Sequence, residues 1–191
     1  MKKAFGFFVL LAASVQSLTP AVAGERVLTL DPAATEIAFS LEATGHVVRG
    51  SFRLVGGELR FDPATGAATG ELTVDATGAE TGNNKRDRKM HEKVIESGKH
   101  PLFVFALERF DGRIADTGSS EIEVHGTMTV RGERHPMSLA VTVEASGDEL
   151  SAETAFEIPY VEWGMKDPSF LFLRVAKVVE VKVSATGSLS R

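Results

Sequence analysis

There is no cysteine among these 191 residues, which excludes disulfides, thiolate chemistry and attachment of a lipid through a cysteine. Tryptophan and tyrosine occur once each, against twelve phenylalanines, so most of the aromatic content has no polar tip and suits a dry interior. Positive charge is also short: 21 lysines and arginines stand against 26 aspartates and glutamates, a formal charge of −5. Phosphate binding needs concentrated positive charge, so a nucleic-acid partner is not expected. No apolar run is long enough to cross a bilayer. The one from Phe5 to Ala13 follows Lys2 and Lys3 and precedes the small-x-small triplet Ala21-Val22-Ala23. These are the parts of a secretory signal peptide over 1–23. The mature chain is then expected to start at Gly24, to lose two lysines and carry −7, and to form one domain over 24–191. With no second apolar segment, its expected location is an exported aqueous compartment, most simply a bacterial periplasm.

Catalytic signatures are missing too. No serine sits in a Gly-x-Ser-x-Gly elbow and no Gly-x-x-x-x-Gly-Lys loop occurs, and no carboxylate pair stands out as a general acid and base. The five histidines (His46, His91, His100, His125 and His135) lack the spacing of a ligand set. No catalytic residue, cofactor or metal is therefore expected.

What the chain has in abundance is alternation. Ile37, Phe39 and Leu41 alternate with Glu36, Ser40 and Glu42, and Leu72 and Val74 with Glu71, Thr73 and Asp75. Ile122, Val124, Met128 and Val130 do the same against Glu121, Glu123, Thr127 and Arg131. Successive strand side chains point to opposite faces, so each segment has a dry side and a wet side. About nine such segments occur, separated by turn-forming clusters such as Asp62-Pro63-Ala64-Thr65-Gly66 and Ser146-Gly147-Asp148. Strands of eight to ten residues span roughly 26–33 Å, enough for a deep closed sheet without free edges.

Register follows from the turns. A two-residue loop at Gly132-Glu133, of type II′, pairs Met128 with Met137, Val124 with Val141 and Ile122 with Val143. A second at Gly147-Asp148 pairs Val143 with Ala152, Leu139 with Phe156 and Met137 with Ile158. Both bring apolar residues opposite one another on one side, as an antiparallel meander requires. The predicted inner wall is thus Val124, Met128, Met137, Leu139, Val141, Phe156 and Ile158, joined by Phe39, Phe52, Phe103 and Phe105. Ala140 is predicted to face outward. His125 falls on the wet side and His135 on the dry side, and Gly50 and Gly126, on the dry phase, are expected to leave room inside.

One helix interrupts the strands, predicted over Lys85–Glu96, capped by Asn83 or Asn84 and stopped by Gly98 and Pro101. Met90 and Val94 form its apolar stripe. The run Leu102 to Leu107 is apolar on both phases, which calls for cover on both faces; Phe103, Phe105 and Leu107 are assigned to the lumen, and Leu102, Val104 and Ala106 to the face under Met90 and Val94. Lys85-Arg86-Asp87-Arg88-Lys89, the densest basic run, reads either as a solvated helix start or as an anchor for an anionic head group. Tyr160 to Ser169, with the only Trp and Tyr, forms a loop at one barrel end that reads either as the rim of a mouth or as a plug closing the barrel bottom, and Trp163 and Met165 are its candidate ligand contacts.

The ordered set Leu30-Asp31-Pro32, Ile37-x-Phe39, Gly45-His46-x-Val48-x-Gly50-x-Phe52, Arg86-Asp87-x-x-Met90, Pro101-x-x-x-Phe105 and Trp163-Gly164-Met165-Lys166-Asp167-Pro168-Ser169 resembles the YceI-like family of exported barrel proteins, over about Val27 to Ser190. The resemblance implies a lipocalin-like antiparallel barrel whose apolar lumen holds a polyisoprenoid or similar long-chain lipid, in periplasmic binding, storage or transport. Some relatives carry a histidine closely after the Arg-Asp pair; here Met90 and His91 stand third and fourth after Asp87, so no histidine role is carried over. The expectation is an all-β, antiparallel up-and-down barrel of about eight strands with one packed helix, binding a long apolar ligand without catalysis. Its rivals are an enzyme acting on an isoprenoid-like substrate in the lumen and a stress-related barrel filled by its own side chains. Monomer and dimer are both left open.

Overall fold

The alternating segments form a sheet closed on itself. The structure is a computed structural model describing residues 24–190; the expected signal peptide, 1–23, lies outside the described residues. Nine strands follow in chain order: β1 Arg26–Leu30, β2 Glu36–Ala43, β3 His46–Phe61, β4 Ala67–Glu80, β5 Leu102–Gly112, β6 Gly118–Val130, β7 Glu133–Ser146, β8 Glu149–Ile158 and β9 Val179–Ser190. β1 and β2 share one place in the wall, since both lie between β3 and β9. A short 3₁₀ turn over Pro32–Ala34 breaks them apart, with the Asp31 carboxylate accepting from the Ala33 amide at 2.8 Å. The barrel therefore has eight staves, each antiparallel to its sequence neighbour, and β9 closes on β1 and β2.

One end carries the connections β2–β3, β4–β5, β6–β7 and β8–β9. The opposite end is plugged by Phe61, Phe110, Ile114 and Leu150, all buried, with the Phe61 and Phe110 rings edge to face at 6.1 Å.

Three local expectations are corrected. The β6–β7 turn is Arg131-Gly132, not Gly132-Glu133, and pairs Val130 with Glu133. Both turn residues have positive φ (52° and 82°), as a type I′ turn requires. Left-handed backbone is costly for arginine, but the Arg131 guanidinium is held by Glu96 and by the Gly164 carbonyl at 2.8 Å. The register moves by two residues, so every face assignment survives: Met128 lies opposite His135, Val124 opposite Leu139 and Ile122 opposite Val141.

The β7–β8 turn is as expected, with Val143 opposite Ala152. The ladder stops at Val141 and Thr154, however, before Leu139 meets Phe156 or Met137 meets Ile158. The Thr154 hydroxyl takes the Ala140 carbonyl at 2.8 Å, Pro136 has no amide to offer, and β8 continues along β9 alone.

The helix is shorter and elsewhere. α1 spans Asn84–Lys89, capped by the Asn83 side chain on the Lys85 and Arg86 amides (both 3.1 Å), and continues as a π-helical turn over Met90–Val94. Glu96, at φ 48°, ends it ahead of Gly98 and Pro101. It lies across the barrel end, not on the outer face of β5: Met90 and Val94 turn toward the lumen, and Leu102 is left 47% exposed. Side-chain hydrogen bonds impose this placement. His91 bridges the Ala79 carbonyl (Nε2, 2.8 Å) and the Ser97 hydroxyl (Nδ1, 2.9 Å), pinning the helix to the end of β4.

Candidate functional site

Inside the barrel is a cavity of about 730 Å³, within the range of small-molecule sites (roughly 300–1,000 Å³). The lumen is therefore not filled by its own side chains. Every stave contributes inward residues. Ten of the twelve predicted contacts line it: Phe39, Phe52, Phe103, Phe105 and Met128, then Leu139, Val141, Phe156, Ile158 and Met165. Three rings form a continuous strip, Phe39 to Phe52 at 5.1 Å and Phe52 to Phe103 at 5.7 Å between centroids. Leu107 lies on the same side, as assigned, and Ala140 is exposed.

Two predicted contacts fall outside. Met137 lies beyond the end of the β7–β8 ladder and packs against the core cluster without lining the cavity. Trp163 turns away and stacks flat on His135, ring centroids 3.9 Å apart. The same stack keeps His135, the one histidine placed on the dry phase, out of the lining. The inward glycines do not leave empty space either. A Cβ at Gly50 would meet the Phe39 ring, and one at Gly126 the Phe105 ring, so each glycine seats a phenylalanine.

The cavity reaches solvent at the helix-bearing end. Its exposed lining residues, His46, Asn83, Lys85, Lys89 and Leu173, all lie there. The helix forms one lip, with Met90 and Val94 facing inward and Lys85, Arg86 and Lys89 at the rim. Arg86 is fixed by the Thr81 hydroxyl (Nε, 2.7 Å) and carbonyl (Nη2, 2.9 Å), and Asp87 accepts from the Thr81 amide at 3.0 Å. Lys85 has no carboxylate partner among the described residues. Of the two readings of this basic run, a solvated helix start or an anchor for an anionic head group, the geometry is compatible with the second, since Lys85, Arg86 and Lys89 border the opening.

The segment between β8 and β9 forms the other lip. Tyr160 is buried, its hydroxyl donating to the Ala176 carbonyl at 2.8 Å. Burial, with the nearby Asp167 charge, pushes its phenol up to about 12. Asp167 is held below the usual carboxylate range by hydrogen bonds from Ser169, aided by Lys177 and Arg174. Lys89 Nζ donates to the Pro168 carbonyl at 3.0 Å, joining the two lips. Tyr160, Leu173 and Val175 were missed from the sequence because this segment has no periodicity that could assign a face.

Outside the barrel, Asp111, Glu123 and His125 bring three potential ligand atoms within 4.8 Å of one another, a grouping the sequence spacing hid because it depends on the β5–β6 register. His125 is already engaged, Nε2 with Asp111 and Nδ1 with Ser138, both at 2.8 Å. Arg109 pairs with Asp111 and, with His125, lowers its pKa. The group is an ion-pair network with its own cation, away from the cavity.

The profile of the YceI-like domain matches residues 28–187, from the first barrel strand to the last. The chain belongs to the YceI-like family. A UPF0312 protein of Vibrio cholerae is 24% identical over 93% of this chain and 94% of its own length. Among solved structures, BcnA of Burkholderia cenocepacia superposes with a TM-score of 0.69 at 18% identity, over 82% of this chain and 98% of that one. A polyisoprenoid binding domain from Saccharophagus degradans, implicated in plant cell wall breakdown, gives 0.70 at 14% identity, over 85% and 98%. These structural likenesses show the shared YceI-like barrel.

Proposed function

We propose that this YceI-like barrel binds a polyisoprenoid or similar long-chain lipid, non-catalytically, for storage or transport in the periplasm. The observation that carries the reading is the cavity itself: about 730 Å³ walled by Phe, Leu, Ile, Val and Met, with Lys85, Arg86 and Lys89 at the opening. An apolar tail leaves water for this wall at roughly 25 cal/mol per Å² buried, and the basic rim suits an anionic head group that stays wet. The polyisoprenoid binding domain of like fold supports the same ligand class. Family and neighbours point to binding rather than catalysis: His135 is stacked on Trp163, and His46, the histidine in the lining, stands exposed at the opening. The periplasmic location rests on the signal-peptide pattern at 1–23. Native mass spectrometry of the protein isolated from bacteria, followed by organic extraction, is expected to release a long-chain lipid in near-stoichiometric amount. A protein whose native mass equals that of its bare chain, and which takes up no added isoprenoid, would overturn the proposal.

A further inference from the structure

Phe170, Leu171, Phe172 and Leu173 form a tight turn that projects from the open end, and they are 68%, 70%, 90% and 41% exposed. Single exposed apolar residues are ordinary, but four in succession at a loop tip are not. The turn is not a loose excursion. Phe170 and Leu173 exchange backbone hydrogen bonds (3.0 and 2.9 Å), and Leu171 is held at φ 51°, a conformation for which glycine or asparagine is the usual choice. Its base is fastened to β2: the Thr44 amide donates to the Arg174 carbonyl at 2.9 Å, and the Ala176 amide to the Glu42 carbonyl at 2.8 Å. Val47 and Val178, 41% and 37% exposed, flank that base.

Charge is segregated around the same end. Residues 85–93 and 166–177 carry eight lysines and arginines against three acids, in a chain whose formal charge is −5. The Lys89 to Pro168 hydrogen bond brings the two segments together. The cavity opening lies between them, with Leu173 and Val175 among its lining.

We propose that this end docks on an anionic phospholipid bilayer, the 170–173 turn entering the head-group region and the basic collar resting on the lipid phosphates. An apolar wedge ringed by lysine and arginine is the chemistry of interfacial membrane binding. Docked in this way, the cavity opening faces the bilayer, and a lipid tail passes from one apolar medium to the other without crossing water. That transfer step rests on the lipid-binding reading above; the docking does not.

Sedimentation with vesicles separates the two. The protein is expected to co-sediment with vesicles of phosphatidylcholine mixed with phosphatidylglycerol, weakly with phosphatidylcholine alone, and less as salt is raised. The double variant F170S/F172S is expected to lose at least about tenfold in vesicle affinity, and R174E/K177E a similar factor, both with unchanged melting temperature and retained extractable lipid. L139E, with a charge in the cavity wall, is expected to do the reverse: empty, yet still docking. Wild-type protein that ignores anionic vesicles, or variants that bind them as well as wild type, would overturn the proposal. A wild-type dimer that ignores vesicles and that F170S/F172S converts to a monomer would overturn it in favour of a contact between two copies of the chain.

Discussion

Leu139 and its neighbour Ala140 point to opposite sides of one stave, the first into the cavity wall and the second to solvent. A carboxylate at the inner position would be desolvated without a partner, whereas at the outer position it stays hydrated. Leu139→Glu is therefore expected to abolish lipid retention while Ala140→Glu leaves it intact, both read by extraction from protein shown to be folded by circular dichroism. Equal retention in the two would refute the wall assignment. Tyr160 offers a second test, since it is the only tyrosine in the chain. Burial raises its phenol from the ordinary value of 10.0 to about 12. The folded state holds this proton more tightly than the unfolded one, so its contribution to stability is complete below about pH 10 and is lost as pH rises through about 12. Absorbance near the tyrosinate band is expected to stay flat past pH 10 and to rise only as the barrel yields; an ordinary midpoint would show an open, wet site. Period-2 reading found the strand residues of the wall because a strand has only two faces. It could not find Tyr160, or reject Trp163, because a loop residue's direction depends on contacts such as the His135 stack that no local pattern encodes.

At the scale of elements, the lid depends on side-chain hydrogen bonds more than on helix propensity, since α1 is under two turns long before its π-helical continuation. His91→Ala leaves the Ala79 carbonyl and the Ser97 hydroxyl without partners in a half-buried setting, and is expected to cost about 2 kcal/mol in chemical denaturation. Amide exchange should show the loss concentrated at residues 84–97. A cost below about 0.5 kcal/mol would mean that the lid is held by its apolar contacts alone. The helix was legible in the sequence as a capped, one-sided segment, and Asn83 was rightly among its candidate caps. Its position was not. The doubly apolar run 102–107 pointed to cover outside the barrel, yet the helix turned over the end because Arg131, Glu96 and His91 tie it there. The β6–β7 register slipped by two residues for the same reason: a tertiary ion pair stabilised a turn that local chemistry did not favour.

For the whole molecule, a barrel with an unfilled lumen should be more stable when occupied, because a ligand that binds only the folded state adds RT ln(1 + [L]/Kd). Stripping the lipid with an organic phase and refolding is expected to lower the melting temperature by roughly 5–10 °C, from about 2.7 kcal/mol at a hundredfold ligand excess over Kd. Adding back an isoprenoid should restore it, and identical midpoints would count against occupancy. The eight-stave closure was legible because the segments, apart from the doubly apolar run 102–107, carried the same binary pattern and every connection but two was a short turn. Those two long connections, the lid and the 159–178 segment, are where the sequence ran out, and they meet at the opening. There the single tryptophan lies flat on His135. An indole in van der Waals contact with an imidazole emits differently from one that is free, and no other tryptophan in the chain competes with it. The opening is thus the one part of the molecule visible to its own ultraviolet fluorescence: any movement of the 159–178 segment that parts the two rings changes both the intensity and the colour of emission, without a label.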